Sequence, residues 1–105
     1  MRVQLLYFDD CPNYDATVEL IAEVADGLGI SVDVEQVRIE STEAAVRHGF
    51  IGSPSVRVDG IDVDPSALDR RDFGMACRRY GNSGVPPRDL IEDALRGANG
   101  NGGSG

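Results

Sequence analysis

A short apolar run, Val3-Gln4-Leu5-Leu6-Tyr7-Phe8, leads through a polar turn into an amphipathic stretch and then into a second strand-like run. That succession constrains the fold more than any other feature. A strand, a helix and a strand in series form a parallel pair, because the helix carries the chain back along the sheet. The first strand is predicted over 2–8 and the first helix from about Asn13 to Leu28. Val18, Ile21, Ala22, Val24, Ala25 and Leu28 recur at helical spacing, with Asp15, Glu19, Glu23 and Asp26 opposite them.

The second strand is predicted over 31–39. Val32 and Val34 alternate, but the phase then slips to Val37 and Ile39, which predicts a bulge or a strand buried on both faces. A short helix follows, capped by Ser41 or Thr42 and stopped at Gly49. Ser55–Val58 reads as a third strand, Asp59-Gly60 as a tight hairpin turn, and Ile61–Val63 as the returning strand. Residues 65–86 form a long irregular connection. Pro86-Pro87 opens a last helix through Arg96, with Leu90, Ile91, Ala94 and Leu95 on its apolar face. The expected class is α/β, in the order β-α-β-α-β-β-α, with a central four-stranded mixed sheet flanked by helices. One domain is expected over 1–97, followed by a disordered Gly-rich tail over 98–105.

The 105 residues carry a net charge of −8 and no lysine, which excludes a nucleic-acid partner. The acids dominate residues 1–64. Residues 65–88 reverse the sign, with Arg70, Arg71, Arg78, Arg79 and Arg88 against Asp69 and Asp72. No apolar run approaches the roughly 20 residues that span a bilayer. No small-residue cleavage site follows the N-terminal run, so no signal peptide is expected and the predicted location is cytoplasmic.

Two cysteines are too few for a secreted disulfide framework. Cys11 stands in the turn Asp9-Asp10-Cys11-Pro12-Asn13-Tyr14, between strand and helix. Helix N–H groups and the helix dipole there favour a thiolate, while Asp9 and Asp10 oppose it. Cys77 lies in the 65–86 connection. The third strand starts at Pro54 beside the end of the first, and the fourth returns the chain to that end. The connection, with Cys77, is therefore expected to lie over or near Cys11. Its arginines 70, 71, 78 and 79 are expected to offset Asp9 and Asp10. His48, the sole histidine, sits at a helix end, and no resident metal or cofactor is expected.

Tyr7-Phe8-Asp9-Asp10-Cys11-Pro12-Asn13-Tyr14, Gly52-Ser53-Pro54-Ser55-Val56-Arg57-Val58-Asp59-Gly60 and Gly74-Met75-Ala76-Cys77-Arg78-Arg79-Tyr80, taken with the element order, resemble the thioredoxin/glutaredoxin superfamily across residues 1–97. Closer still is the resemblance to small prokaryotic thioredoxin-like proteins, some of them labelled alkylmercury lyase. The resemblance implies a thioredoxin-like fold with Pro54 as a cis-proline facing the thiol. It implies Cys11 as the attacking thiol, and Pro12, Tyr14, Ser53 and Pro54 as the substrate-binding surface, the Ser53 backbone pairing with a bound peptide or glutathione strand. Tyr14 replaces the usual resolving cysteine, so Cys77 or glutathione would have to resolve. The implied activity is thiol–disulfide oxidoreduction on thiol or disulfide substrates, glutathione or a protein among them. Two alternatives stand beside it: thiol-based binding of soft metals or organomercurials, and a non-catalytic interaction module of the same fold.

Overall fold

A computed structural model describes residues 1–9, 11–81 and 83–104, with side chains through Ala98. Asp10, Asn82 and Gly105 lie outside the described residues. The elements are β1 (Arg2–Tyr7), α1 (Tyr14–Leu28), β2 (Asp33–Arg38), α2 (Thr42–His48), β3 (Ser55–Val58), β4 (Ile61–Asp62), a 3-10 turn (Pro65–Asp69) and α3 (Arg88–Ser104). The four strands form one mixed sheet in the order β2-β1-β3-β4. β1 runs parallel to β2 and antiparallel to β3, and β3 antiparallel to β4.

Alternation along the central strands divides the interior into two layers. Val3 and Leu5 of β1 and Val56 and Val58 of β3 face one side, where Ile21, Val24 and Ala25 of α1 and Ile91 and Leu95 of α3 close over them. Leu6 faces the other side and packs with Ile39, Ala44, Ala45 and Phe50 around α2. Ser41 caps α2 by accepting from the Ala44 amide at 3.0 Å, and Gly49 ends it. The hairpin turn has positive φ at both Asp59 (52°) and Gly60 (85°), the geometry that a two-residue turn between twisted strands requires.

The second strand differs from its expectation. β2 is the sheet edge and is largely exposed, and its register to β1 is unbroken from Arg2↔Asp33 to Tyr7↔Arg38. There is neither a bulge nor two-sided burial. The phase slip has a simpler cause: Ile39 lies beyond the strand, where the chain turns into α2, and is buried in that cluster. The last helix also differs. It is described as far as Ser104, past the end expected at Arg96. Glycine weakens a helix without forbidding its backbone angles, and no proline interrupts this stretch.

Leu5 is completely buried between the two helices and β3, whereas Val46 on α2 is 56% exposed. Leu5→Ala should therefore lower unfolding free energy by about 2–5 kcal/mol, and Val46→Ala by about 0.5 kcal/mol or less. Urea titrations of both variants check this.

Candidate functional site

The turn after β1 sets the first part of the site. β1 ends at Tyr7, and Phe8, Asp9, Cys11, Pro12 and Asn13 carry the chain into α1 at Tyr14. Cys11 is a free, half-buried thiol and Pro12 is exposed. Asn13 precedes the helix without a side-chain cap. Its carbonyl accepts both the Thr17 amide at 3.1 Å and the Thr17 hydroxyl at 2.7 Å. Tyr14 leans on Tyr7 with ring centroids 4.4 Å apart. Burial, then the neighbouring Tyr7 and Asp15, push its hydroxyl pKa up.

Asp9 is held by Arg38, whose Nη2 donates to Oδ2 at 2.6 Å. The pairing Tyr7↔Arg38 in the sheet places that guanidinium beside the turn. The expectation that the arginines of the 65–86 connection neutralise Asp9 is thus corrected. Arg70 pairs with Asp72, and Arg78 is drawn into the protein interior.

Residues 50–55 form the second part. The Ser53–Pro54 peptide bond is cis, as the resemblance implies, and both residues are buried. Ser55 is paired with Leu6, so this segment stands beside the C-terminal end of β1, where the Cys11 turn begins. The Ser55 hydroxyl donates to the Gly52 carbonyl at 2.6 Å.

The third part is a strap formed by residues 74–80. The Gly74 amide donates to the Phe50 carbonyl at 3.0 Å. Cys77 then pairs with Ser53 in a parallel bridge: the Ser53 amide donates to the Ala76 carbonyl, and the Arg78 amide to the Ser53 carbonyl, both at 2.9 Å. The strap alternates like a strand. Arg78 and Tyr80 turn inward and are buried, while Cys77 and Arg79 turn outward and are exposed. The Tyr80 hydroxyl donates to the Pro54 carbonyl at 2.6 Å.

Arg78 anchors the strap. Its side chain is 1% exposed. Nη1 donates to Asp62 Oδ2 at 2.6 Å and to the Ser55 hydroxyl at 3.0 Å, and Nη2 to Asp62 Oδ1 at 2.9 Å. The guanidinium carbon lies 4.4 Å from the centre of the Tyr80 ring, a cation–π contact. Burial alone would lower its pKa. The hydrogen bonds to Asp62 and the charges of Asp62 and Asp64 act the other way, so the pKa stands above the ordinary arginine value. Among the described residues, Arg78 Nε and the Ser53 hydroxyl are buried without a partner. Gly52 has φ of 151°, and a Cβ there would stand 2.9 Å from Arg78 Cβ, so the strap lies directly against its backbone.

The connection therefore does return to the end of the sheet that carries Cys11. Cys77 is fixed beside Ser53, and farther along Gly84 abuts the Asn13 side chain, two residues from Cys11. The Ser53 backbone, expected to pair with a substrate strand, already has both its polar groups bonded to the strap. A bound strand would have to displace residues 76–78 to take them. Arg78, Asp62, Ser55 and Tyr80 form a buried network that sequence reasoning did not assign. The signal for it is the alternation in Cys77-Arg78-Arg79-Tyr80, two apart like a strand. Among the described residues, no three histidine, cysteine or acidic side chains cluster as a metal site, and no helix is long and apolar enough to cross a membrane. No family model, curated protein or solved structure matches this chain.

Removing Asp62 strands a buried cation. Asp62→Asn should cost about 3–5 kcal/mol, read by urea unfolding, and should bring rapid hydrogen exchange to the amides of Ser53 and Arg78. Burial, opposed by the Arg78 charge, raises the Tyr80 pKa well above that of a free tyrosine. The folded state then retains a proton that the unfolded chain releases above pH of about 10. Stability from this source is complete below that pH and falls as pH rises. Tyr80→Phe should be less stable than the parent at neutral pH and should lose part of the alkaline slope, checked by urea midpoints between pH 8 and 11.

Proposed function

We propose that this protein is a thioredoxin-like thiol–disulfide oxidoreductase in which Cys11 attacks and Cys77 resolves. The observation that carries the reading is the Ser53↔Cys77 bridge. It seats the second cysteine next to Pro54, at the end of the sheet where the Cys11 turn begins. Both thiols are free, and neither is fully buried. The sheet order, the parallel β1–α1–β2 unit and the proline at the start of β3 support the fold assignment.

The chemistry follows from thiol exchange. The Cys11 thiolate attacks one sulfur of a substrate disulfide. A mixed disulfide forms, and the other substrate sulfur leaves as a thiolate that takes up a proton. The Cys77 thiolate, its proton lost to solvent, then attacks Cys11 Sγ. The Cys11–Cys77 bond forms, and the second substrate thiolate is released. The substrate gains two electrons and the protein dithiol loses them. Two equivalents of an external thiol such as glutathione restore the dithiol by the same two exchanges in turn and leave as their disulfide. The exposed Pro12 and the half-buried Tyr14 flank Cys11 as the surface a substrate meets, with Ser53 and Pro54 beneath Cys77.

Mild oxidation with diamide should yield a monomer that has lost two free thiols and carries a Cys11–Cys77 peptide pair in a non-reducing digest. Cys11→Ser and Cys77→Ser should each abolish that pair, and Cys11→Ser should also abolish reduction of a small disulfide. Oxidation that gives only dimers or glutathione adducts through Cys11 would remove Cys77 from the mechanism.

A further inference from the structure

A cavity of about 220 Å³ opens on the α2 side of the sheet, and neither cysteine lines it. Three guanidiniums line it, those of Arg57, Arg70 and Arg71, against a single carboxylate, Asp62. Asp62 is already engaged at both oxygens by Arg78, and Arg70 is engaged by Asp72. Arg57 and Arg71 remain. Among the described residues, neither has a carboxylate oxygen within 4.0 Å.

Both are held in place by backbone oxygens instead. Arg57 Nη2 donates to the Gly49 carbonyl at 3.0 Å, and Arg71 Nη1 to the carbonyls of Arg70 at 3.0 Å and Leu68 at 3.3 Å. Each guanidinium has five N–H donors, so most stay uncommitted. Arg57 is half-buried, and burial together with the Arg78 charge works against its cation, with Asp62 the only opposing influence. In a chain of net charge −8, two cations without carboxylate partners facing one cavity are a local reversal of sign.

We propose that this cavity binds a compact tetrahedral oxyanion, inorganic phosphate or the phosphate of a small monoester, between Arg57 and Arg71. The guanidinium fork matches phosphate oxygens two at a time. The volume suits the ligand, since about 30 Å³ per water-sized group leaves room for phosphate and few atoms beyond it. The Phe73 ring forms part of the wall. The inference is independent of the thiol chemistry and uses neither cysteine.

Titration of the ¹⁵N-labelled protein with sodium phosphate at constant ionic strength tests it. Saturable amide shifts are expected at Gly49, Gly60 and Phe73. Arg57→Gln and Arg71→Gln should each weaken binding about tenfold, the equivalent of one charge-assisted hydrogen bond. Arg71 is exposed, so its variant keeps the test valid if Arg57→Gln perturbs folding. Arg96→Gln, on α3 across the sheet from the cavity, should bind as the parent does. Methyl phosphate replaces inorganic phosphate in a second series, and the tighter of the two identifies the source. Shifts that fail to saturate, that acetate reproduces, or that survive Arg71→Gln would overturn the proposal.

Discussion

A guanidinium taken out of water has to find its acceptors inside, and the path of residues 70–87 is organised around that requirement. Arg78 reaches Asp62 with two hydrogen bonds, Ser55 with a third, and lies over the ring of Tyr80. Three separate segments are tied through one side chain: β4, the start of β3 and the strap. A buried ion pair adds little net stability compared with an apolar replacement, because desolvation offsets most of the attraction. Its effect is on geometry. An ion pair with three directed hydrogen bonds admits one arrangement, where an apolar contact would admit several. The backbone pairing of Ser53 with residues 76 and 78 follows from it, and so does the outward position of Cys77.

The regular part of the fold was legible because each element is specified locally. The apolar period of α1, the Ser41 cap with its Gly49 stop, and the Asp59-Gly60 turn each depend on a few neighbouring residues. The bulge or two-sided burial expected of β2 fails for the same reason. Ile39 was assigned to the strand by its hydrophobicity, yet it is buried by α2, an element that a local pattern does not see. The end of the last helix was not legible, because composition beyond Arg96 weighs against a helix without excluding one.

The site was legible in its cysteines and its proline, and illegible in its arginines. Four arginines in the connection read as a group that would offset the acids of the Cys11 turn. Their actual partners are set by tertiary register. Asp9 meets Arg38 across β1 and β2, and Arg78 meets Asp62 across the strap and β4. An inward arginine is unusual enough that its burial follows only from knowing where a carboxylate waits for it. The alternation that turns Arg78 and Tyr80 inward spans four residues, too short to declare itself against an irregular background.

The exposed outer strand β2 has a consequence for how copies of this protein behave in solution. A sheet flank with free N–H and C=O groups is a template for another molecule's strand. Here that flank is Asp33-Val34-Glu35-Gln36-Val37-Arg38, with three charges in six residues, and two further ion pairs, Arg2–Glu35 and Arg38–Glu40, set along it. A second copy approaching in parallel and in register would set Asp33 on Asp33 and Glu35 on Glu35 and strip their water. The opposite flank, β4, is only two residues long and offers almost no ladder to extend. Charge guards one border of the sheet and brevity the other, so the same residues that make β2 a poor core strand resist fibrillar stacking.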